Sequence, residues 1–227
     1  MEASFLVLAK RRPGLDECVA QLERLSSHVN VVLGERGEPL PHSCFDWEGD
    51  VLISYLSPWV IPARLLRKAR IAALNFHPGP PEYPGIGCTN FAIYHGAREY
   101  GVTAHHMEEK VDTGRIIAVR RFPIFDDDTV FTVTQRAYEH LAVLFQSVFT
   151  QLTSSGTLPE SHEKWARKPY ARRELETLCK ITLGMSREDI ERRIKATTYP
   201  GMPGAYVEIY GHRFEYVEGE RSAMKGP

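Results

Sequence analysis

Two periods of apolar and polar positions alternate along this chain. Residues 4–9 form a short apolar strand, and 16–26 shows helical spacing through Cys18, Val19, Leu22 and Leu25. A second strand is predicted over 28–33, followed by a Pro/Gly-rich connection over 34–41. Residues 50–55 read as a third strand and 62–69 as a short helix with proline at its start. The fourth strand, 71–77, is closed by Pro78, which cannot donate a ladder hydrogen bond. Strands alternating with helices imply a parallel sheet covered on both faces.

Beyond a loop over 78–87, an amphipathic helix is predicted over 88–95. Two strands, 101–107 and 115–122, flank a turn over 108–114. The longest helix spans 129–152, behind a run of Asp126, Asp127 and Asp128 that suits a helix N-terminus. After a loop at 154–159 the pattern is less regular. It resumes as a helix over 186–196 capped by Ser186, then as a hairpin over 204–217 turning at Gly211-His212. The last few residues are expected to fray.

The 227 residues are 43% hydrophobic and 25% charged, enough to build a sizeable core. A formal net charge of −1 argues against nucleic acid as the main partner. Local basic stretches remain, at Arg64 to Arg70 and over 164–173, and such stretches are more often solvated faces. Cys18, Cys44, Cys88 and Cys179 are widely spaced with no CxxC, which fits free thiols in a reducing compartment. With no apolar run of membrane length and no signal-peptide pattern, a soluble, cytoplasmic protein is expected.

The chemistry concentrates around Asn75, His77 and Asp112. Asn75 and His77 alternate onto one strand face while Phe76 takes the other, at the carboxyl end where open α/β sheets bind ligands. Taken singly, an Asn or His at a strand end is more often a turn former, and an Asp before Thr-Gly an Asx-turn residue. A metal set built from His105, His106 and Asp112 is disfavoured, because adjacent strand residues point to opposite faces. No metal site is expected. No GxGxxG follows the first strand, so a nicotinamide cofactor has no support.

Four segments occur in order: 54–62 (Ser-Tyr-Leu-Ser-Pro-Trp-Val-Ile-Pro), 74–78 (Leu-Asn-Phe-His-Pro), 101–107 (Gly-Val-Thr-Ala-His-His-Met) and 111–114 (Val-Asp-Thr-Gly). Together they resemble the catalytic domain of folate-dependent formyltransferases, well over residues 50–135 and weakly before. The resemblance implies a doubly wound, Rossmann-like α/β fold with a mostly parallel sheet. It implies a catalytic domain over 1–180 and a small C-terminal helix and β-hairpin appendage over 181–227. It further implies 10-formyltetrahydrofolate as formyl donor and tetrahydrofolate as product. Asn75, His77 and Asp112 match the family's catalytic trio. The Asn75 amide and the His77 ring would then donate to the oxyanion that builds as an amine attacks. Asp112 would hold the imidazole's tautomer and help the proton leave, with either His77 or Asp112 taking it first. By the same resemblance the pterin pocket involves Tyr55, Leu56, Trp59, Val60, Ile61, Glu108 and Val111. The acceptor side involves Pro80, Tyr83, Gly85, Phe91 and His105, the last as a structural or pocket-lining group.

Many members carry Ser-Leu-Leu-Pro and an Arg-Gly after the catalytic histidine. Here the loop is Gly79-Pro-Pro-Glu-Tyr-Pro-Gly-Ile-Gly87, with no arginine, a departure that bears on the acceptor. The helix, Pro/Gly-rich stretch and hairpin after residue 185 resemble the appendage of sugar-nucleotide N-formyltransferases. They imply a dTDP-, UDP- or GDP-linked amino sugar as acceptor, of the kind used in surface polysaccharides such as lipopolysaccharide O-antigen. They also imply a homodimer through the hairpin. Tyr83, Phe91, Tyr94, Tyr199 and Tyr206 are candidates for stacking on a base, although packing suits most of them. Other acceptors within the same chemistry are a siderophore-type hydroxyornithine, glycinamide ribonucleotide, or water, the last giving a formyltetrahydrofolate hydrolase. A folate-binding protein without turnover is the non-enzymatic alternative.

Overall fold

The computed structural model describes residues 3–217, so the expected fraying of the last few residues lies outside the described residues. Strands β1 (Phe5–Ala9), β2 (Val29–Leu33), β3 (Gly49–Tyr55), β4 (Ala69–His77), β5 (Glu99–His106) and β6 (Ile116–Pro123) form one sheet in the order β2-β1-β3-β4-β5-β6. The first four run parallel, and β5 and β6 run antiparallel to them. The α/β, mostly parallel fold is as expected.

Alternation along the strands supplies both faces of the sheet. Phe5, Val7, Ala9, Val51, Ile53, Tyr55, Leu74 and Phe76 pack on one side with α1 (Leu15–Glu23), α3 (Cys88–Tyr94) and α4 (Val130–Ser155). Leu6, Leu8 and Leu52 pack on the other with Cys44, Ile61 and Leu65. The second side is covered thinly, by a 3-10 turn at His42–Phe45 and the short α2 (Ala63–Leu66). Asn75 and His77 belong to this thinly covered side, which leaves the carboxyl ends of β3 and β4 accessible.

Helix α2 is shorter than the 62–69 expected, because the chain is already back in the sheet at Ala69. Thr129 caps α4 in a reciprocal box with Thr132, while Asp128 accepts from Arg136 and the Phe125 amide. A further helix, α5 (Arg172–Cys179), was not expected, since its sequence carries few apolar positions. Helix α6 (Arg187–Thr197) is capped by Ser186 as expected. It lies against α3, with Asn90 donating to the Ala196 carbonyl at 2.8 Å and the Tyr94 hydroxyl to Asp189 at 2.9 Å. The hairpin β7 (Tyr206–Ile209) and β8 (His212–Glu215) turns at Tyr210-Gly211, one residue earlier than expected. Both turn residues have positive φ, the pair of conformations that a two-residue type I′ turn requires.

Candidate active site

Register assembles the site. On the antiparallel pair β4/β5, Asn75 lies opposite His105 and His77 opposite Thr103, so both histidines and the amide share one face. Thr103 hydroxyl donates to the Gly79 carbonyl at 2.8 Å and fixes the start of the loop that follows His77. Asp112 enters from the turn between β5 and β6 in a left-handed conformation (φ 49°), which aspartate tolerates better than most residues. Thr113 closes that turn by donating to the Lys110 carbonyl.

The Asp112 carboxylate is the hub. One oxygen accepts from the Gly85 amide at 2.8 Å and lies 3.4 Å from His77 Nδ1. The other lies 3.3 Å from both Asn75 Nδ2 and His105 Nε2. His77 Nε2 faces the Tyr83 carbonyl at 3.3 Å. Burial opposes the charge on Asp112, but His77, His105 and the Gly85 N–H more than offset it, and the carboxyl stays below the usual carboxylate range. Burial pulls the His77 imidazole below its ordinary value, against the attraction of Asp112. The pair at neutral pH is therefore a carboxylate beside a neutral imidazole.

These side chains open onto a cleft of about 240 Å³. Leu56, Pro58, Trp59, Val60 and Ile61 line it from β3 onward, and residues 107–112 line it from the β5–β6 turn. Leu56, at φ 52°, holds a backbone conformation unusual for its bulk, of a kind that costs on the order of 1–3 kcal/mol and clusters at functional sites.

The cleft brings together most of the sequence-derived site: Asn75, His77, Asp112, Leu56, Trp59, Val60, Ile61, Glu108, Val111 and His105. Tyr55 is a correction. Strand alternation sends its ring to the opposite side, fully buried against Phe76 and Phe145. Pro80, Tyr83, Gly85 and Phe91 do not line the cleft either. Phe91 stacks on Tyr170 at 3.7 Å, Tyr83 stacks between Tyr100 and Tyr170, and Gly85 supplies its amide to Asp112. The other rings expected to stack on a base have protein partners: Tyr94 lies under Arg192, Tyr199 meets Phe131, and Tyr206 lies under Arg213. Asn75 Nδ2 lies 3.0 Å from His105 Nε2 and 3.3 Å from Asp112 Oδ1. Among the described residues no group of three or more His, Cys, Asp or Glu side chains could hold a metal ion. No helix of the described residues is long and apolar enough to cross a membrane.

Sequence reasoning missed Trp165. Its indole N–H donates to the Gly114 carbonyl at 2.8 Å, and its ring meets His105 and His77 edge-on at 5.0 and 6.0 Å. The following segment clasps the 78–87 loop: Ala166 N donates to Pro81 O, Tyr170 N to Pro84 O and Ile86 N to Tyr170 O. The one available signal was a tryptophan inside an otherwise charged stretch.

A doubly wound α/β sheet with a polar cluster and apolar cleft at its strand ends is the arrangement by which this class binds small ligands. Residues 46–148 match the family model described as Formyl transferase. It is 29% identical over 185 residues to methionyl-tRNA formyltransferase of Lactobacillus gasseri, covering 78% of this chain and 56% of that protein. It is 28% identical over 184 residues to GDP-perosamine N-formyltransferase of Brucella melitensis, covering 80% of this chain and 70% of the relative. The chain thus spans about half the length of the tRNA enzyme that it matches. In fold it is similar to an N-formyltransferase of Helicobacter canadensis solved with folinic acid and dTDP-3-aminofucose. The TM-score is 0.70 at 15% identity, covering 91% of this chain and 84% of that one.

Proposed function

We propose that this protein moves a formyl group from 10-formyltetrahydrofolate to the amine of a nucleotide-linked amino sugar. The observation that carries the reading is a buried, ionised Asp112 bridging two imidazoles beside an apolar cleft. The cleft's composition fits a planar heterocycle, with Leu56, Trp59, Val60, Ile61 and Met107 as apolar walls and the backbone of residues 108–112 for polar edges. When bound, the donor supplies the formyl carbon and leaves as tetrahydrofolate.

The transfer makes a bond from the amine nitrogen to the formyl carbon, breaks the bond to the folate nitrogen, and moves one proton from the former to the latter. Asp112 is too weak a base for that proton because its neighbours hold it ionised. His77 is the better carrier, being neutral at pH 7 yet far more basic. Once protonated it has an acceptor for each N–H: Asp112 for Nδ1 and the Tyr83 carbonyl for Nε2. Trp165 closes one side of both imidazoles to water.

A sugar-nucleotide acceptor is supported by the GDP-perosamine N-formyltransferase relative and by the dTDP-3-aminofucose in the Helicobacter complex. A net charge of −1 favours a small acceptor over tRNA. The test is incubation with 10-formyltetrahydrofolate and a panel of amines, read by mass for one added formyl group. The panel holds dTDP-, UDP- and GDP-linked amino sugars, hydroxyornithine, glycinamide ribonucleotide and methionyl-tRNA. Formylation of an amino sugar alone is the expected result. Formylation of another amine replaces the acceptor, and tetrahydrofolate release without a formylated product makes water the acceptor.

A further inference from the structure

Arg121 stands on β6 opposite Gly101 of β5, and the same strand sets Thr103 opposite His77 of β4. Residues facing one another across a ladder, and those two apart along a strand, share a face of the sheet. Arg121 and His77 therefore lie on one face, two strands apart. Gly101 leaves the arginine stem room to cross β5, since a Cβ there would come within 3.3 Å of Arg121 Cγ and 2.8 Å of the Arg120 carbonyl oxygen.

Three carboxylates share the half-buried guanidinium. Glu82 accepts with both oxygens, at 3.0 Å from Nη2 and 3.3 Å from Nη1. Glu163 accepts from Nη2 at 2.5 Å, and Glu99 lies 3.5 Å from Nη1. Two of these acids belong to the segments that touch the imidazole pair. Glu82 precedes Tyr83, whose carbonyl faces His77 Nε2 at 3.3 Å. Glu163 lies two residues before Trp165, whose indole is bonded to Gly114 and whose ring meets both histidines edge-on. A planar fork of N–H donors can hold two chain segments in fixed geometry, whereas an ammonium acts as a point charge. Without it, the three carboxylates would face one another with no cation between them.

We propose that Arg121 is a positioning residue: by gripping Glu82 and Glu163 at once, it latches the loop after His77 to the Trp165 segment and so fixes the carbonyl and the indole that bracket the imidazole pair. Arg121 does not line the cleft, so its effect reaches the reaction only through those two segments. The consequence for turnover rests on the function proposed above.

The test is hydrogen exchange of the indole N–H groups in the ¹⁵N-tryptophan-labelled protein without ligand, with Trp165 assigned by its absence from Trp165→Phe. In Arg121→Met the Trp165 N–H should exchange about tenfold faster or more, while that of Trp59, bonded to the Glu38 carbonyl away from the latch, keeps its rate. Glu163→Ala, a change at an exposed residue, should speed Trp165 in the same way and guards against Arg121→Met failing to fold. Unchanged Trp165 exchange in both variants overturns the latch. In kinetics, Arg121→Met should lose about tenfold or more in kcat with the donor KM within about twofold, and Arg121→Lys should recover part of that loss. Full kcat in a folded Arg121→Met overturns the positioning role. The exchange measurement needs no formyl donor, so the two readings fail separately. Formyl transfer at the parent rate by Arg121→Met leaves the function and removes the inference. A loosened Trp165 in a protein whose parent formylates nothing supports the latch and removes the function.

Discussion

The Gly85 amide donates to Asp112 Oδ2 at 2.8 Å, tying the loop that follows His77 to the turn that carries the carboxylate. That bond joins two segments 27 residues apart and adds a charge-assisted donor to an acid that is 5% exposed. It also makes the arginine-free loop a structural partner of the site.

Gly85 is therefore sensitive to any side chain. Its φ is +87°, and an added Cβ would come within 2.5 Å of the Tyr170 carbonyl oxygen and 2.6 Å of its nitrogen, both backbone atoms. Gly85→Ala is expected to cost about 1–3 kcal/mol in stability through strain and lost bridging. It also lowers kcat, because Asp112 loses its amide donor. Thermal unfolding and a rate measurement on the same sample check both effects; an unchanged melting temperature would show that the loop does not need this backbone.

Much of this was legible from alternation and from the motifs. Asn75 and His77 share a face because they are two residues apart in a strand ended by Pro78. Asp112 came through the resemblance, since a turn residue has no period that would aim it. The partnership of His105 with Asn75 depends on an antiparallel register that local pattern does not contain. Trp165 reaches Gly114 across 51 residues, a pairing that only the folded chain creates. Helix α5 was missed because its partly amphipathic sequence, Arg-Arg-Glu-Leu-Glu-Thr-Leu-Cys, is short and mostly polar. Tyr55 was misplaced because a motif was read as a continuous wall although strand residues alternate.

Asp112→Asn and His77→Ala separate chemistry from binding. Each is expected to lower kcat by about 10²–10⁴-fold, the usual range for a lost proton carrier or its partner. Donor affinity changes little, because neither group is needed to bind a heterocycle in the apolar cleft. A titration of tetrahydrofolate binding beside the rate assay checks this. Loss of cooperative unfolding in either variant would reassign the residue to structure.

Acid acts on this site in two stages. His77 has a folded-state value below its unfolded one, so the unfolded chain binds protons first as pH drops below about 6.5. Its contribution is full above that value and erodes as pH falls through the folded value. His95, His106 and His140 are lowered too, mainly by burial, and share this window. Asp112, also lowered, adds a second loss as pH falls below the ordinary carboxylate range near 4. Melting temperature should be level from pH 7 to 8 and fall in both acid windows, and His77→Phe should remove only part of the first. The rate should rise with pH through the lowered His77 ionisation; a flat profile from pH 5 to 7 would argue against His77 as proton carrier.

Trp165 offers a separable test of the wall behind the histidines. Trp165→Phe keeps an aromatic edge toward His77 and His105 and deletes the N–H that holds the Gly114 carbonyl. The expected cost is about 1 kcal/mol of stability, one hydrogen bond, with a modest fall in kcat. Trp165→Ala removes the ring as well and should lower kcat much further. Equal kcat in both variants would mean that the ring does not shape the imidazole pair.

The cleft's rim carries the last prediction. Val60 is 72% exposed and Val111 49% exposed, and both line the cleft, one on the β3 side and one on the β5–β6 turn. Exposed apolar side chains that line a cleft gain no burial there in the free protein, but a planar ligand seated in it would remove both from water. Burying a valine side chain is worth up to about 1.5–3 kcal/mol, so a carboxylate at either position should raise the donor KM by roughly tenfold or more. Because neither side chain belongs to the core, Val60→Asp and Val111→Asp should melt within about 2 °C of the parent. If both variants keep the parent KM for 10-formyltetrahydrofolate, the donor lies elsewhere, and the cleft would have to be reassigned to the acceptor.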